Sequence, residues 1–253
     1  MKIASWNVNS LRVRLEHVLD WLDTNQVDLL CLQELKMTDE NFPVEAFKEH
    51  GYHCTYTGQK TYNGVAIISK EPLENVLTDL PNFDDPQRRF IKGNYQDITI
   101  VNVYVPNGQA LDSDKFVYKR NWFAELQNAM RAALIENKKV VLVGDFNITP
   151  SDLDVHDPKK WQGSIHCSDI ERLMLQNLMS EGLFDTYRHF NSQGDTFSWW
   201  DYRGGGYDRN EGLRIDLILS SSDMLDQAKT CTIDETPRKL ERPSDHTPVI
   251  ATY

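Results

Sequence analysis

What most constrains this chain is a set of short, nearly continuous apolar runs, of which Val27–Leu32 is apolar on both faces. They are Lys2–Trp6, Val27–Leu32, Tyr52–Thr55, Gly64–Ser69, Ile98–Val105, Val140–Val143, Thr196–Trp199, Leu213–Leu219 and Val249–Thr252. Short, nearly continuous apolar runs of this kind suggest central strands covered on both sides. Helical spacing lies between them. Leu11, Leu15, Val18, Leu19 and Leu22 form one stripe, and Phe123, Leu126, Met130 and Leu134 form another within Phe116–Leu134. Ile170, Leu173, Met174 and Leu178 form a third. That helix opens with Ser168 followed by Glu171, a capping-box spacing, and ends before Gly182. Many strands with a few amphipathic helices predict an α/β fold: two sheets packed face to face, with helices outside.

The 253 residues carry no low-complexity segment or linker, which favours one domain over residues 1–253. Charged residues are 26% and hydrophobic residues 40%, which argues against a disordered chain. The net charge of −11 argues against sequence-blind DNA binding through a basic surface, but leaves nucleic acid open as a substrate held by metal and local cations. The four cysteines, Cys31, Cys54, Cys167 and Cys231, contain no C-x-x-C pair, so zinc-knuckle and dithiol chemistry lack support. No run approaches the ~18 apolar residues of a membrane helix, and the N-terminus turns polar too early for a signal peptide. A cytoplasmic protein with no membrane role, a monomer, is expected.

The chemistry is carried by how the runs end. The first reaches Asn7 and Asn9, the second Glu34, and Ile98–Val105 carries Tyr104. Val140–Val143 runs into Asp145 and Asn147, Asp216 lies inside an apolar run, and Asp245-His246 precedes the last strand. Singly, each is an ordinary turn or cap residue, although a carboxylate inside a buried strand requires a partner. Six strand ends that each deliver an acid–base or metal-compatible group form a site pattern. Glu34, Asp145 and Asp245 are hard oxygen ligands suited to Mg²⁺ or Mn²⁺; Asn7 and Asn147 add neutral ones. His246 lies beside Asp245, with Asp216 available to orient it. This set suits metal-assisted phosphodiester hydrolysis. There is no G-x-S-x-G, Walker loop or H-E-x-x-H to support acyl transfer, nucleotide-driven work or zinc proteolysis.

Seven blocks, in order from residue 5 to residue 246, resemble the exonuclease III / AP endonuclease family, relatives of DNase I. They are Ser5-Trp6-Asn7-Val8-Asn9-Ser10-Leu11-Arg12, Gln33-Glu34-Leu35-Lys36, Asn63-Gly64-Val65-Ala66, Tyr104-Val105-Pro106-Asn107-Gly108, Gly144-Asp145-Phe146-Asn147, Gly212-Leu213-Arg214-Ile215-Asp216 and Ser244-Asp245-His246. The resemblance implies a four-layer α/β sandwich with two mainly antiparallel sheets. It implies Glu34 as the main Mg²⁺ ligand (Mn²⁺ as substitute), with Asn7, Asn9, Asp245, Asp145 and Asn147 around it. Asp145 would deprotonate the attacking water, and Asn147 would hold that water or a phosphorane oxygen. Asp216 and His246 would pair beside the phosphoryl group, and Tyr104 would stabilise the transition state or assist a proton transfer. Trp199, Leu213 and Ile215 would line a pocket for a flipped sugar. Arg12, Lys36, Lys60, Arg88 and Arg89, with the amides Asn63 and Asn107, would contact DNA.

One block departs from that pattern. Where many members read Ala-Gly-Phe-Thr-x-x-Glu-Arg, this chain reads Ile165-His166-Cys167-Ser168-Asp169-Ile170-Glu171-Arg172. A loop residue that has drifted without consequence is one reading; the other, which the resemblance implies, is that His166 stands in place of a small residue near the path of the strand beyond an abasic site. A Mg²⁺-dependent DNA repair phosphodiesterase is expected, acting at nicks and recessed 3′ ends of duplex DNA, with abasic-site incision weakened by His166. An ordinary AP endonuclease is the first alternative. A phosphatase for lipid or inositol head groups is the second, and it lacks the hydrophobic loop that a membrane substrate calls for.

Overall fold

The computed structural model describes residues 1–253. Strand β1 (Lys2–Asn7) is followed by α1 (Leu11–Asn25), β2 (Leu29–Gln33), α2 (Val44–Glu49), β3 (His53–Thr57), β4 (Val65–Ser69), β5 (Glu74–Leu77), β6 (Phe90–Tyr95) and β7 (Ile98–Tyr104). Helix α3 (Asp114–Glu136) leads to β8 (Val140–Asp145), α4 (Pro158–Trp161), α5 (Asp169–Met179), β9 (Leu183–Asp185) and α6 (Thr186–Phe190). Then come β10 (Trp199–Trp200), β11 (Gly212–Leu213), β12 (Asp216–Ser221), α7 (Ser222–Leu225), β13 (Thr230–Ile233) and β14 (Val249–Thr252).

One six-stranded sheet has the order β13-β14-β1-β2-β4-β3, and the other β5-β6-β7-β8-β12-β9; β10 and β11 pair separately. Most neighbours are antiparallel. The exceptions are β1 with β2 and β7 with β8, each parallel pair joined through a long helix, α1 or α3. A parallel connection has to carry the chain back along the sheet, and a helix does so while covering a face. Alternate residues of the apolar runs then go to different cores. Ile3, Cys31, Ile67, Ile100, Val143 and Ile218 meet between the sheets. Ala4, Trp6, Leu30 and Leu32 pack outward under α1 and α2, and Val101, Val103 and Leu142 pack outward under α3 and α5. These are the four layers expected from the sequence.

Three expectations need correction. The run Leu213–Leu219 is not one strand, because Arg214 and Ile215 separate β11 from β12. The buried Arg214 guanidinium turns to Asp154 (2.6 Å) and Asp185 (2.6 Å), and the Ile215 and Asp216 N–H groups donate to Ser198 Oγ instead of to a ladder. Only Trp199 of Thr196–Trp199 is in a strand. Helix α5 does have the Ser168–Glu171 capping box, but its buried face is Glu171, Leu175 and Leu178, while Ile170 and Leu173 are exposed. Lys119 draws Glu171 inward and rotates the stripe.

Gly144 shows how tightly β8 is held. Its φ is +146°, and a Cβ there would lie 1.9 Å from the Val103 carbonyl oxygen on β7. Gly144→Ala is expected to destabilise the protein by more than about 3 kcal/mol, since backbone strain adds to displacement of β7. Urea denaturation would measure it; a loss under about 1 kcal/mol would show that the two strands can part at little cost.

Candidate active site

The C-terminal ends of both parallel pairs lie at one edge of the sandwich. Asn7 ends β1, and its fully buried amide joins the sheets: Nδ2 donates to Glu34 Oε1 and to Asp145 Oδ2, both at 2.9 Å. Glu34 follows β2 in a left-handed conformation, φ +54°; Asn9 (+44°) and Asn147 (+49°) share that strained region.

The ends of β8 and β12 bring Asp145 and Asp216 into register. His246 Nδ1 is 2.8 Å from Asp216 Oδ2, and its Nε2 is 3.7 Å from Asp145 Oδ2. Burial opposes a charge on His246, but Asp216 and Asp145 outweigh it and raise its pKa, so the ring is an imidazolium. Burial also raises the pKa of Asp145; His246 opposes this and Asp216 adds to it. Asp145 is therefore a more avid proton acceptor than a solvated carboxylate. The Asn147 N–H fixes its Oδ1 at 2.9 Å. At 3.7 Å the His246 Nε2–H is too far from Asp145 for a good hydrogen bond and remains available to a phosphoryl oxygen. Tyr104 has its pKa raised by burial and by Glu34, so its hydroxyl stays protonated; Arg89 lies 4.7 Å over its ring.

Asn147 is held from several sides. Its Nδ2 donates to the Val105 carbonyl at 2.9 Å, its Oδ1 accepts from Asn107 at 3.3 Å, and its carbonyl accepts from Lys119 Nζ and His166 Nδ1, each at 2.8 Å. Lys119 also donates to the Asn107 carbonyl (3.1 Å) and to Glu171 (2.6 Å), and Glu171 accepts from the His166 N–H (3.1 Å). This fully buried ion pair escaped the sequence reading. Its signal was a lysine interrupting the buried stripe Phe116, Trp122, Phe123 and Leu126 of α3.

Asp245 lies in a neighbouring cluster rather than among Glu34, Asp145 and His246. It accepts from Asn9 Nδ2 and Trp199 Nε1, both at 3.0 Å. Lys36 links the clusters, pairing with Glu34 at 3.0 Å and donating to Asn9 Oδ1. Among the other expected DNA contacts, Arg88 pairs with Asp79 at 2.6 Å, while Arg12 and Lys60 are exposed, their side chains unengaged. Asn63 is buried and donates to Gln59 at 3.0 Å. Leu213 and Ile215 are packed against Val155 and Cys167, leaving Trp199 at the edge of that cluster.

The donor set fits a hard divalent cation. Carboxylate oxygens of Glu34 and Asp145 lie within 4.8 Å of each other, and Asp216 Oδ1 is buried without a hydrogen-bond partner; His246, protonated and bonded to Asp216, offers no lone pair to a cation. Burial opposes ionisation of Glu34, yet Lys36, Asn7 and His246 together hold its pKa below the usual value. Ionised carboxylate oxygens suit Mg²⁺ or Mn²⁺ better than a soft metal, while Asn7, expected as an oxygen ligand, turns its NH₂ group toward Glu34 and Asp145.

A model of the Endonuclease/Exonuclease/phosphatase family matches residues 4–246. The chain belongs to this family. It is a hydrolase of the exonuclease III type within it. Exodeoxyribonuclease III of Haemophilus influenzae is 35% identical, covering all of both chains. The solved 3′ phosphatase NExo from Neisseria, bound to a product DNA hairpin, is 48% identical with a TM-score of 0.99, over 100% of this chain and 99% of that one. An AP endonuclease from Archaeoglobus fulgidus is 35% identical with a TM-score of 0.96, over 100% and 99%.

Within the family site, Glu34→Gln is expected to weaken Mg²⁺ binding and activity together. Chelation by EDTA should abolish turnover, and Mg²⁺ or Mn²⁺ should restore it; full activity in EDTA would reject the metal assignment. Asp145→Asn keeps the shape and removes the carboxylate charge; if Asp145 serves as the base, turnover should fall ~10²–10⁴-fold while DNA binding persists, and near-normal turnover would remove it from that role. In His246→Ala, adding Asp216→Ala should cost little more, because the two act as a unit; fully additive losses would separate them.

Proposed function

We propose that this protein is a Mg²⁺-dependent DNA repair phosphodiesterase that works at 3′ ends of duplex DNA. It removes 3′-terminal nucleotides and 3′-blocking phosphates and incises internal abasic sites poorly. A divalent ion at Glu34 would neutralise charge developing on the phosphate. Asp145 takes the proton of the attacking water, Asn147 orients that water or a phosphoryl oxygen, and His246, held by Asp216, donates its Nε2–H to the phosphoryl group.

The observation that carries the 3′-end reading is the placement of His166. Its φ of +71° belongs to a position that favours glycine. Burial lowers its pKa to about 4, so the ring is neutral. The Nδ1–H is committed to the Asn147 carbonyl, and the ring faces Trp199 with centroids 6.4 Å apart. The imidazole thus stands between a catalytic asparagine and the apolar cluster where a flipped sugar would lodge, and that cluster is already filled by Val155 and Cys167. A strand that continues past the site meets the ring; a strand that ends there does not. NExo is described as a 3′ phosphatase and as a 3′-5′ exonuclease, at 48% and 49% identity. The likeness to the Archaeoglobus AP endonuclease supports the second reading, an ordinary AP endonuclease.

A single gel assay separates them: the purified enzyme on an internal abasic duplex, a recessed 3′ end and a 3′-phosphate nick. The 3′ substrates should be processed at least ~10-fold faster, a small barrier difference since tenfold needs only ~1.4 kcal/mol. His166→Gly relaxes the backbone and opens the path, so abasic incision should rise with metal dependence unchanged. If the wild type prefers abasic sites, or the glycine variant gains nothing, the protein is an ordinary AP endonuclease.

A further inference from the structure

Asp245 and His246 lie on the connection between the turn Thr236–Lys239 and β14, so no strand holds the residues that lead into them. The carbonyls of that connection are engaged all the same, by side chains. Arg14, in the first turn of α1, donates from Nε to the Arg242 carbonyl at 3.1 Å and from Nη2 to the Pro243 carbonyl at 3.0 Å. The Tyr202 hydroxyl also donates to the Pro243 carbonyl, at 2.7 Å, and accepts from Arg14 Nη2 at 3.2 Å. Arg238 donates to the Ser244 carbonyl.

The guanidinium of Arg14 also reaches the other side of the site, where Nη1 donates to the Asn9 carbonyl. Asn9 (φ +44°) and Ser10 (φ +88°) form a left-handed turn between β1 and α1, and Ser10 gives the helix no side-chain cap. A turn of this kind keeps its shape only where its surroundings hold it. Asn9 Nδ2 in turn donates to Asp245 Oδ1 at 3.0 Å. One planar group thus grips both members of the Asn9–Asp245 pair through the backbone: Asn9 at its own carbonyl, Asp245 at the carbonyls two and three residues before it.

Four of the five N–H groups of Arg14 are used inside the protein, so it is poorly placed to take a phosphate. Its acceptors are three carbonyls and a hydroxyl rather than a carboxylate. A rigid fork serves such divergent acceptors together; the ammonium of a lysine, a point charge, does not.

We propose that Arg14 is a positioning residue for the reaction. It holds Asn9 and the segment leading to Asp245 and His246 in one arrangement without itself touching the substrate. The inference rests on His246 acting in turnover.

Arg14→Ala and Arg14→Lys test it against the wild type, with Tm as the check on folding. Turnover is followed on whichever duplex of the gel assay the wild type processes fastest, so the result does not depend on the 3′-end reading. Both variants should lose kcat by ~10²-fold, the cost of displacing catalytic groups by about 1 Å, with KM held within about twofold. Methylguanidinium should raise the kcat of Arg14→Ala at least about fivefold, and methylammonium at the same concentration should not, because the fork rather than the charge is required. A second readout is independent of turnover. Trp199 Nε1–H donates to Asp245 Oδ2 at 3.0 Å. Its NMR signal, identified by its loss in Trp199→Phe, should shift in Arg14→Ala and return with methylguanidinium. An unchanged indole signal overturns the proposal, as does equal recovery with methylammonium. A rise in KM with kcat intact overturns it in favour of a phosphate contact, and a lowered Tm with kcat intact in favour of a purely structural one. If His246→Ala keeps wild-type turnover, the reading of His246 fails instead, and the clamp is judged by kcat and the indole signal through Asp245.

Discussion

Three carboxylates crowd one buried imidazolium, and the architecture of the site follows from keeping them there. Asp145 and Asp216 are 1% and 0% exposed, and Glu34 lies beside them. Like charges brought this close out of water cost several kcal/mol each unless compensated. Compensation comes from His246 between two of the carboxylates, from Lys36 on Glu34 and from Asn7, whose one NH₂ group serves Glu34 and Asp145 together. Because Asn7 belongs to one sheet and Asp145 to the other, the bond that steadies the charges also locks the sandwich at its catalytic edge. Any residual negative potential is what a divalent cation and the proton of an attacking water would meet.

The topology makes that crowding possible. β1-α1-β2 and β7-α3-β8 are the same unit used twice, a parallel pair with a helical crossover on its outer face. Parallel strands end at the same edge, so each unit delivers two adjacent C-terminal ends. One pair brings Asn7 and Glu34, the other Tyr104 and Asp145. The antiparallel partner β12 starts where β8 finishes, which sets Asp216 opposite Asp145. Behind this edge, Lys119 on α3 reaches the carbonyls of Asn107 and Asn147 and pairs with Glu171 on α5. The helices that cover the sheet thereby also set the two asparagine loops.

Much of this was legible in the residues because burial on both faces leaves a plain mark. The doubly covered strands β1, β2, β4, β7, β8 and β14 were anticipated within two residues, and the polar residues at their ends were the ones to examine. Edge strands leave a weaker mark. All four residues of the edge strand β5 are exposed, and its inner neighbour β6 is interrupted by Lys92, Gly93 and Asn94, so neither reads as a buried run. The helix α5 stripe was misjudged by one position for a different reason: hydrophobic periodicity cannot foresee that a carboxylate will go inside when a buried lysine on another helix is waiting for it. Arg214 is a similar case. Its fully buried charge breaks an apolar run into two strands, because two distant carboxylates, Asp154 and Asp185, receive it. Such pairings depend on contacts 29 to 60 residues apart, which local pattern does not encode.

The net charge of −11 takes on meaning once the cations are followed individually. Lys36, Arg88, Lys119 and Arg214 are all bound to carboxylates of the protein itself. Each cation so paired contributes less to a broad electrostatic grip on a phosphate backbone, whose strength scales with the number of phosphates neutralised. An enzyme that bound duplex DNA tightly everywhere would spend its time away from strand ends and release product slowly. On the proposed reading, affinity would be concentrated where donors are left free: the His246 Nε2–H, the amides around Asn107 and the unpaired cations nearby. On that reading, recognition would depend on what shape of strand can reach those donors past His166, and shape, more than sequence or overall charge, would distinguish a strand that stops from one that continues.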